Sequence, residues 1–202
     1  MAGKMEIVLV GRSNVGKSSV IRGLTGMRIR TGRRPGVTRK ISRYERGELV
    51  FVDMPGFGFM AGVSREVQER TKSEIVRYLE ENRPKIALAL HVIDVRSFCE
   101  IVERWEGRGQ LPIDVEMFHF IRELKIPLIL VANKIDLIYP EERDGVLDEI
   151  CDKLGLLPPW RQWLDTVAPV SAKTGEGIAE LKRLIKRKFQ EMGKGRLCRH
   201  LR

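Results

Sequence analysis

The chain is poor in cysteine. It has three in 202 residues, Cys99, Cys151 and Cys198, far apart and in no metal-ligand spacing. That excludes a disulfide framework and a cysteine-held zinc ion, and fits reduced thiols in a cytoplasmic protein. No apolar run has the length that crosses a bilayer. No lipidation motif is visible, so membrane attachment is not expected. The first residues, MAGKMEIVLV, pass directly into a strand-like pattern, and a secretory leader is not expected. No internal repeat or low-complexity linker breaks the chain. Glutamine is scarce too, with four residues. Together with abundant Lys, Arg and Glu, that balance is one seen in proteins of hot-growing organisms.

What is plentiful is positive charge. The net charge is +10, with 43% hydrophobic and 32% charged residues, the composition of a globular protein. Residues 22–46 and residues 182–202 each hold nine Lys or Arg against one Glu, so each nets +8 and the remainder nets −6. Charge segregated in this way makes patches, and basic patches fit a polyanion such as RNA. The other reading is two solvated faces.

Short apolar runs alternate with longer helical patterns. MEIVLV (5–10), ELVFVD (48–53), IALALHVID (86–94), PLILVAN (127–133) and VAPV (167–170) are predicted strands. Their near-continuous Val, Ile and Leu content implies burial on both faces. TRKISRYE (38–45) alternates and carries charge, as an edge strand does. Helices are predicted near 17–25, 65–82, 113–124, 141–155 and 177–191, and residues 97–111 as a loop. Strand–helix alternation predicts an α/β fold with a mostly parallel six-stranded sheet flanked by helices. A length of 202 residues suits one domain, here 1–202 with a basic helix and tail from about 177.

Four loops follow strands and carry chemistry. The first, Gly11, Arg12, Ser13, Asn14, Val15, Gly16, Lys17 and Ser18, fits G-x-x-x-x-G-K-S between a strand and a helix. Its glycines let backbone N–H groups turn around a β-phosphate, and the following helix adds its positive end. Lys17 bridges the β- and γ-phosphates, and the Ser18 hydroxyl ligates Mg²⁺. The second, Asp53, Met54, Pro55 and Gly56, ends a strand where open α/β sheets bind ligands. Alone this is only a turn, but downstream of such a loop Asp53 can hold Mg²⁺ through a water and the Gly56 N–H can reach the γ-phosphate. The third, Asn133-Lys134-Ile135-Asp136, selects the base. The Asp136 carboxylate accepts from guanine N1–H and N2–H₂, whereas adenine leaves it unpaired. Asn133 braces the loop and the Lys134 stem lies on the base. The fourth, Ser171-Ala172-Lys173 after Val170, turns the Ala172 N–H toward guanine O6. Between the first two lie Gly36, Val37 and Thr38, where Thr38 is placed to give the second hydroxyl to Mg²⁺ and its N–H to the γ-phosphate.

In this order the motifs resemble the translation-factor-related GTPases of the P-loop GTPase fold. The closer similarity is to the EngB (YihA-type) GTP-binding proteins, carried by GRSNVGKSS (11–19), PGVTRK (35–40), DMPGFGF (53–59) and LPIDVEMF (111–118). Met54, Phe57 and Phe59 depart from the Leu and Tyr more usual in that family. The resemblance implies a single-domain protein that binds GTP and GDP; the motifs add Mg²⁺, and a cytoplasmic monomer is expected. It implies a role in large ribosomal subunit assembly, with ribosomal RNA or the subunit as partner, and a need for it in cell division and septation. It also implies K⁺ at Asn14, because related GTPases with Asn at this position bind K⁺ there in place of an arginine finger. Otherwise Asn14 holds the neighbouring switch loop by a hydrogen bond.

Phe57 occupies the place where signalling GTPases carry a water-orienting Gln, so hydrolysis is expected to be slow. Phe57 and Phe59 are either an apolar surface offered or withdrawn by the switch, or ordinary core. His91 and Trp160 are expected in the core. The last helix puts Ile178, Leu181, Ile185 and Phe189 on one face, with Lys182, Arg183, Lys186 and Arg187 off it. Two rival functions remain. A signalling or trafficking switch on protein partners is opposed by the basic charge and the lack of lipidation. An RNA-modifying enzyme gated by GTP is opposed by the lack of a second catalytic constellation.

Overall fold

The computed structural model of the protein describes residues 3–29, 40–58 and 64–201. Six strands, β1 (Met5–Val10), β2 (Ser42–Arg46), β3 (Leu49–Asp53), β4 (Ile86–Asp94), β5 (Leu128–Asn133) and β6 (Val167–Val170), form one sheet in the order β2-β3-β1-β4-β5-β6. Only β2 runs antiparallel to its neighbour; β3, β1, β4, β5 and β6 pair in parallel. β2 is the edge strand expected from its alternating charge, shifted a few residues along the chain.

Buried strands read as continuous apolar runs because each face has its own core. Ile7 and Leu9 of β1 pack on one side with Leu49 and Phe51 of β3. There they meet α1 (Lys17–Thr25) and α6 (Ile178–Glu191) through Val20, Ile21, Leu181, Ile185 and Phe189. Val8 and Val10 face the other way. They pack with α2 (Arg65–Asn82), α4 (Ile113–Glu123) and α5 (Arg143–Lys153) through Ile75, Leu79, Phe118, Ile121 and Ile150. One-residue alternation along β1 therefore serves two layers of helices.

One expectation fails. Residues 97–111 are not a loop, because α3 spans Phe98–Glu106. Phe98, Ile101, Val102 and Trp105 recur at helical spacing, and Phe98 and Val102 are buried. The opposite face is charged, and Lys153 of α5 reaches Glu106 at 3.1 Å. The helix predicted from 141 begins at Arg143, after a 3₁₀ turn at Pro140–Glu142.

His91 is fully buried, as expected of it. Trp160 is buried too, its indole N–H donating to Asp144 Oδ1 at 2.8 Å. Phe57, 1% exposed, is core, so here it offers no surface. Phe59 lies outside the described residues. Among the described residues no helix is long and apolar enough to cross a membrane.

Candidate nucleotide site

β1, β3, β5 and β6 run parallel, so the loops that follow them emerge on one edge of the sheet. β1 delivers residues 11–18, β3 ends on Asp53, β5 on Asn133, and β6 on Val170 before Ser171. This is the carboxyl edge, where open parallel sheets bind ligands.

In the first loop Lys17 begins α1 and is 6% exposed. Its ammonium donates to the carbonyls of Gly11 and Arg12, both at 2.9 Å. Burial nevertheless pulls the Lys17 pKa down to about 8, against the opposing charges of Asp53 and Asp114. A lysine held this way is a cation with few competing ligands, ready for phosphate oxygens. Gly16 has φ 101°, and a Cβ there would come within 2.3 Å of Asn133 Nδ2. Both the backbone and the neighbour require glycine. Asn14, also at positive φ (65°), is exposed, with no side-chain partner among the described residues.

Asp53 is 1% exposed, and Ser18 Oγ donates to its Oδ2. Its Oδ1 has no hydrogen-bond partner among the described residues. Burial raises the Asp53 pKa above the usual carboxylate value. A hydroxyl and a carboxylate in contact, with one buried oxygen left over, is a donor set suited to a small hard cation. Met54 is fully buried, and its N–H donates to the Leu9 carbonyl at 3.2 Å, so Pro55 and Gly56 leave from a fixed point.

The base-reading loops are tied to the phosphate loop by one side chain. Asn133 Nδ2 donates to the Val15 carbonyl at 2.7 Å, and Asn133 Oδ1 accepts from the Ala172 N–H at 3.0 Å. The Ala172 N–H expected at guanine O6 is thus engaged by Asn133 in this structure. Lys134 takes φ 70° and pairs with Asp94 at 2.5 Å, which anchors its stem over the end of β4. Asp136 sits half-buried in the 3₁₀ turn Ile135–Leu137, its carboxylate without a protein partner among the described residues. Ser171 is fully buried and shapes its loop: its Oγ accepts from Thr174 N–H and its carbonyl from Gly175 N–H. Lys173 is exposed. Gly36, Val37 and Thr38 lie outside the described residues.

One further feature is not legible in the sequence as a pairing, a buried cluster beneath the first two loops. Asp114 on α4 meets Arg12 at 3.2 Å and lies 3.9 Å from His91. LPIDVEMF was the visible signal, but an acid in a helix's first turn reads as a favourable end charge.

Residues 6–134 match the model of the 50S ribosome-binding GTPase family. The chain is 54% identical to the probable GTP-binding protein EngB of Methanopyrus kandleri over 98% of both chains. It is 50% identical to that of Pyrococcus abyssi over 89% of this chain and 83% of that protein. A crystal structure of a probable GTP-binding protein EngB superposes with a TM-score of 0.81 at 44% identity, covering 92% of this chain and 99% of that one. More distantly, Era in complex with MgGDPNP and nucleotides 1506–1542 of 16S ribosomal RNA aligns at 25% identity and TM-score 0.58, over 92% of this chain and 57% of Era. The loops gathered on the carboxyl edge and these relatives agree: the chain belongs to the EngB family of GTP-binding proteins, within the P-loop GTPases.

Proposed function

We propose that the protein is a Mg²⁺-dependent, slowly hydrolysing GTP switch that acts on a ribosomal particle during large-subunit assembly, and that normal cell division and septation depend on it. It would work as a cytoplasmic monomer, with residues 1–202 forming one GTPase domain and the basic helix and tail from about 177 to 202 contributing to the RNA-facing surface. The observation that carries the nucleotide reading is the contact of Ser18 with Asp53 beside the buried Lys17, with Asp53 Oδ1 unpartnered. Ser18 and Thr38 would hold Mg²⁺ directly and Asp53 through a water, and the ion would neutralise phosphate charge. Gly11 to Ser18 would wrap the phosphates, Gly36 to Thr38 and Asp53 to Gly56 would meet the γ-phosphate, and Asn133, Lys134, Asp136 and Val170 to Lys173 would hold guanine.

Slow hydrolysis follows from Phe57. Its side chain is in the core, and it has no group with which to orient a water. The ribosomal reading is supported by the net charge of +10 and its two basic segments, and by membership of a family described as ribosome-binding GTPases. The chain would be sedimented with separated ribosomal subunits in a non-hydrolysable GTP analogue and in GDP. Enrichment on large subunits with the analogue is expected. Equal distribution in both nucleotides would overturn the reading and favour a switch acting on protein partners.

A further inference from the structure

Asp114 is 1% exposed, a carboxyl group on α4 outside the loops described above. One carboxylate oxygen meets Arg12 Nη1 at 3.2 Å. The other has no hydrogen-bond partner among the described residues and lies 3.9 Å from His91 Nε2. The His91 ring sits between Phe57 and Phe118, at centroid distances of 6.3 and 6.1 Å. A buried carboxylate is costly unless paired, so disturbing its partner is felt strongly at this position.

That partner is the second residue of the phosphate loop. Arg12 forms a parallel backbone bridge with Phe57, and Ser13 N–H donates to the Phe57 carbonyl at 3.3 Å. The next residue rests on the guanidinium itself. A Cβ at Gly58, where φ is 84°, would stand 2.8–2.9 Å from the three outer atoms of the Arg12 group. A planar cation fixed from below by Asp114 thus forms the floor beneath residues 57–58. These directly follow Gly56, the N–H expected to sense the γ-phosphate.

We propose that Asp114 is a positioning residue for the nucleotide switch: it fixes Arg12 as the platform for residues 57–58, directly after Gly56, and so sets how strongly the protein prefers GTP over GDP. This rests on the reading of the protein as a GTP switch. The logic is differential. GDP has no γ-phosphate for Gly56 to meet, so loosening the platform costs GTP binding and spares GDP binding. Coupling of this kind is a ratio of affinities, separable from overall stability.

The test measures dissociation constants for a fluorescent non-hydrolysable GTP analogue and for fluorescent GDP. The proteins are the unaltered chain, Asp114→Asn, Arg12→Lys and Glu116→Gln. Asp114→Asn keeps the shape and removes the charge. It should weaken the analogue about tenfold and GDP by less than about threefold, the scale of one lost charge-assisted hydrogen bond. Arg12→Lys keeps the charge but not the planar fork, and should shift the ratio the same way. Glu116→Gln breaks a more exposed pair with Lys72 (2.6 Å) in the same helical turn and should leave the ratio unchanged. Equal weakening of both nucleotides by Asp114→Asn and Arg12→Lys would make the pair a mere stabiliser and overturn the inference. So would an equal ratio shift in Glu116→Gln. If Asp114→Asn does not fold, Arg12→Lys alone decides. An unaltered chain that binds neither nucleotide would sink the switch reading itself, a result distinct from an unmoved ratio.

Discussion

Asn133 holds Val15 with one end of its amide and Ala172 with the other, at 2.7 and 3.0 Å, and is itself 3% exposed. One side chain thereby sets the spacing between the phosphate loop and the last base-reading loop. Asn133→Ala would leave the Val15 carbonyl and the Ala172 N–H without these partners, and is expected to cost about 1–3 kcal/mol of stability. GDP and GTP should weaken together, because both need the two loops in register. Thermal unfolding with parallel titrations of both nucleotides checks this. Selective loss of GTP alone would contradict it.

Asp136 has no protein partner among the described residues, which leaves its carboxylate for a base. Asp136→Asn presents an N–H where xanthine offers a carbonyl and guanine an amine. GTP affinity should fall about a hundredfold or more and xanthosine triphosphate should gain. Titration of both nucleotides decides; an unchanged preference for GTP would remove Asp136 from the base site.

Lys17 makes a prediction in pH. Its pKa is lowered by burial from 10.5 to about 8, so between those values the folded protein holds fewer protons than the unfolded chain. The stability cost is therefore full below pH 8 and is relieved as pH rises toward 10.5. Phosphate favours the ammonium form, so nucleotide binding should take up about one proton at pH 9 and little at pH 7. Affinity should then decline as pH climbs past 8. Calorimetry in buffers of different ionisation enthalpy gives the proton count directly. No uptake at pH 9 would mean that Lys17 stays charged without the nucleotide.

These residues also show what the chain reveals before it folds. Gly11 to Ser18 and Asn133 to Asp136 are contiguous, so their chemistry is readable along the sequence. The strand at 86–94 and the helix at 65–82 fall where the patterns put them, because burial on both faces or one face leaves a clear period. α3 was obscured because its four charged residues interleave with its apolar ones in a short segment, although Phe98, Val102 and Trp105 keep helical spacing. The Arg12–Asp114 pair could not be seen at all. It joins residues 102 apart through tertiary packing alone, so Arg12 in the first loop and Asp114 in LPIDVEMF are legible separately but not as a pair.

The basic C-terminal segment separates into engaged and unengaged cations. Lys188 pairs with Asp165 at 3.4 Å, and Arg187 reaches Glu191 at 3.9 Å. Lys182 and Lys186, one turn apart on α6, have no acidic partner among the described residues. Burial, together with Arg46 and Lys186, holds the Lys182 pKa below the usual lysine value. If this face meets an RNA backbone, replacing Lys182 and Lys186 with Ala should reduce the slope of log affinity against log salt by roughly 0.7–0.9 per lost contact. Replacing Arg187 and Lys188 should reduce it less. Filter binding to ribosomal RNA across a salt series measures both, and equal slopes in all three proteins would make the face a solvated surface.

The last prediction concerns the charge that hydrolysis must stabilise. Negative charge spreads over the β–γ bridge and the γ-oxygens in the transition state, and a cation should meet it there. Arg33, Arg34 and Arg39 lie outside the described residues. Arg12 is committed to Asp114, and Lys17 is already assigned to the phosphates of the bound nucleotide. Asn14 is left in the phosphate loop, exposed, at φ 65°, its amide without a partner among the described residues. An amide carbonyl beside phosphate oxygens is a suitable ligand for a large, weakly hydrated monovalent cation. If Asn14 holds K⁺, turnover in KCl should exceed turnover in NaCl at equal ionic strength, and Asn14→Ala should lose that difference while keeping GDP affinity. If the unaltered protein turns over equally in both salts, no K⁺ takes part. If K⁺ stimulates Asn14→Ala as strongly as the unaltered protein, its ligands are elsewhere, and Asn14 instead holds the neighbouring switch loop.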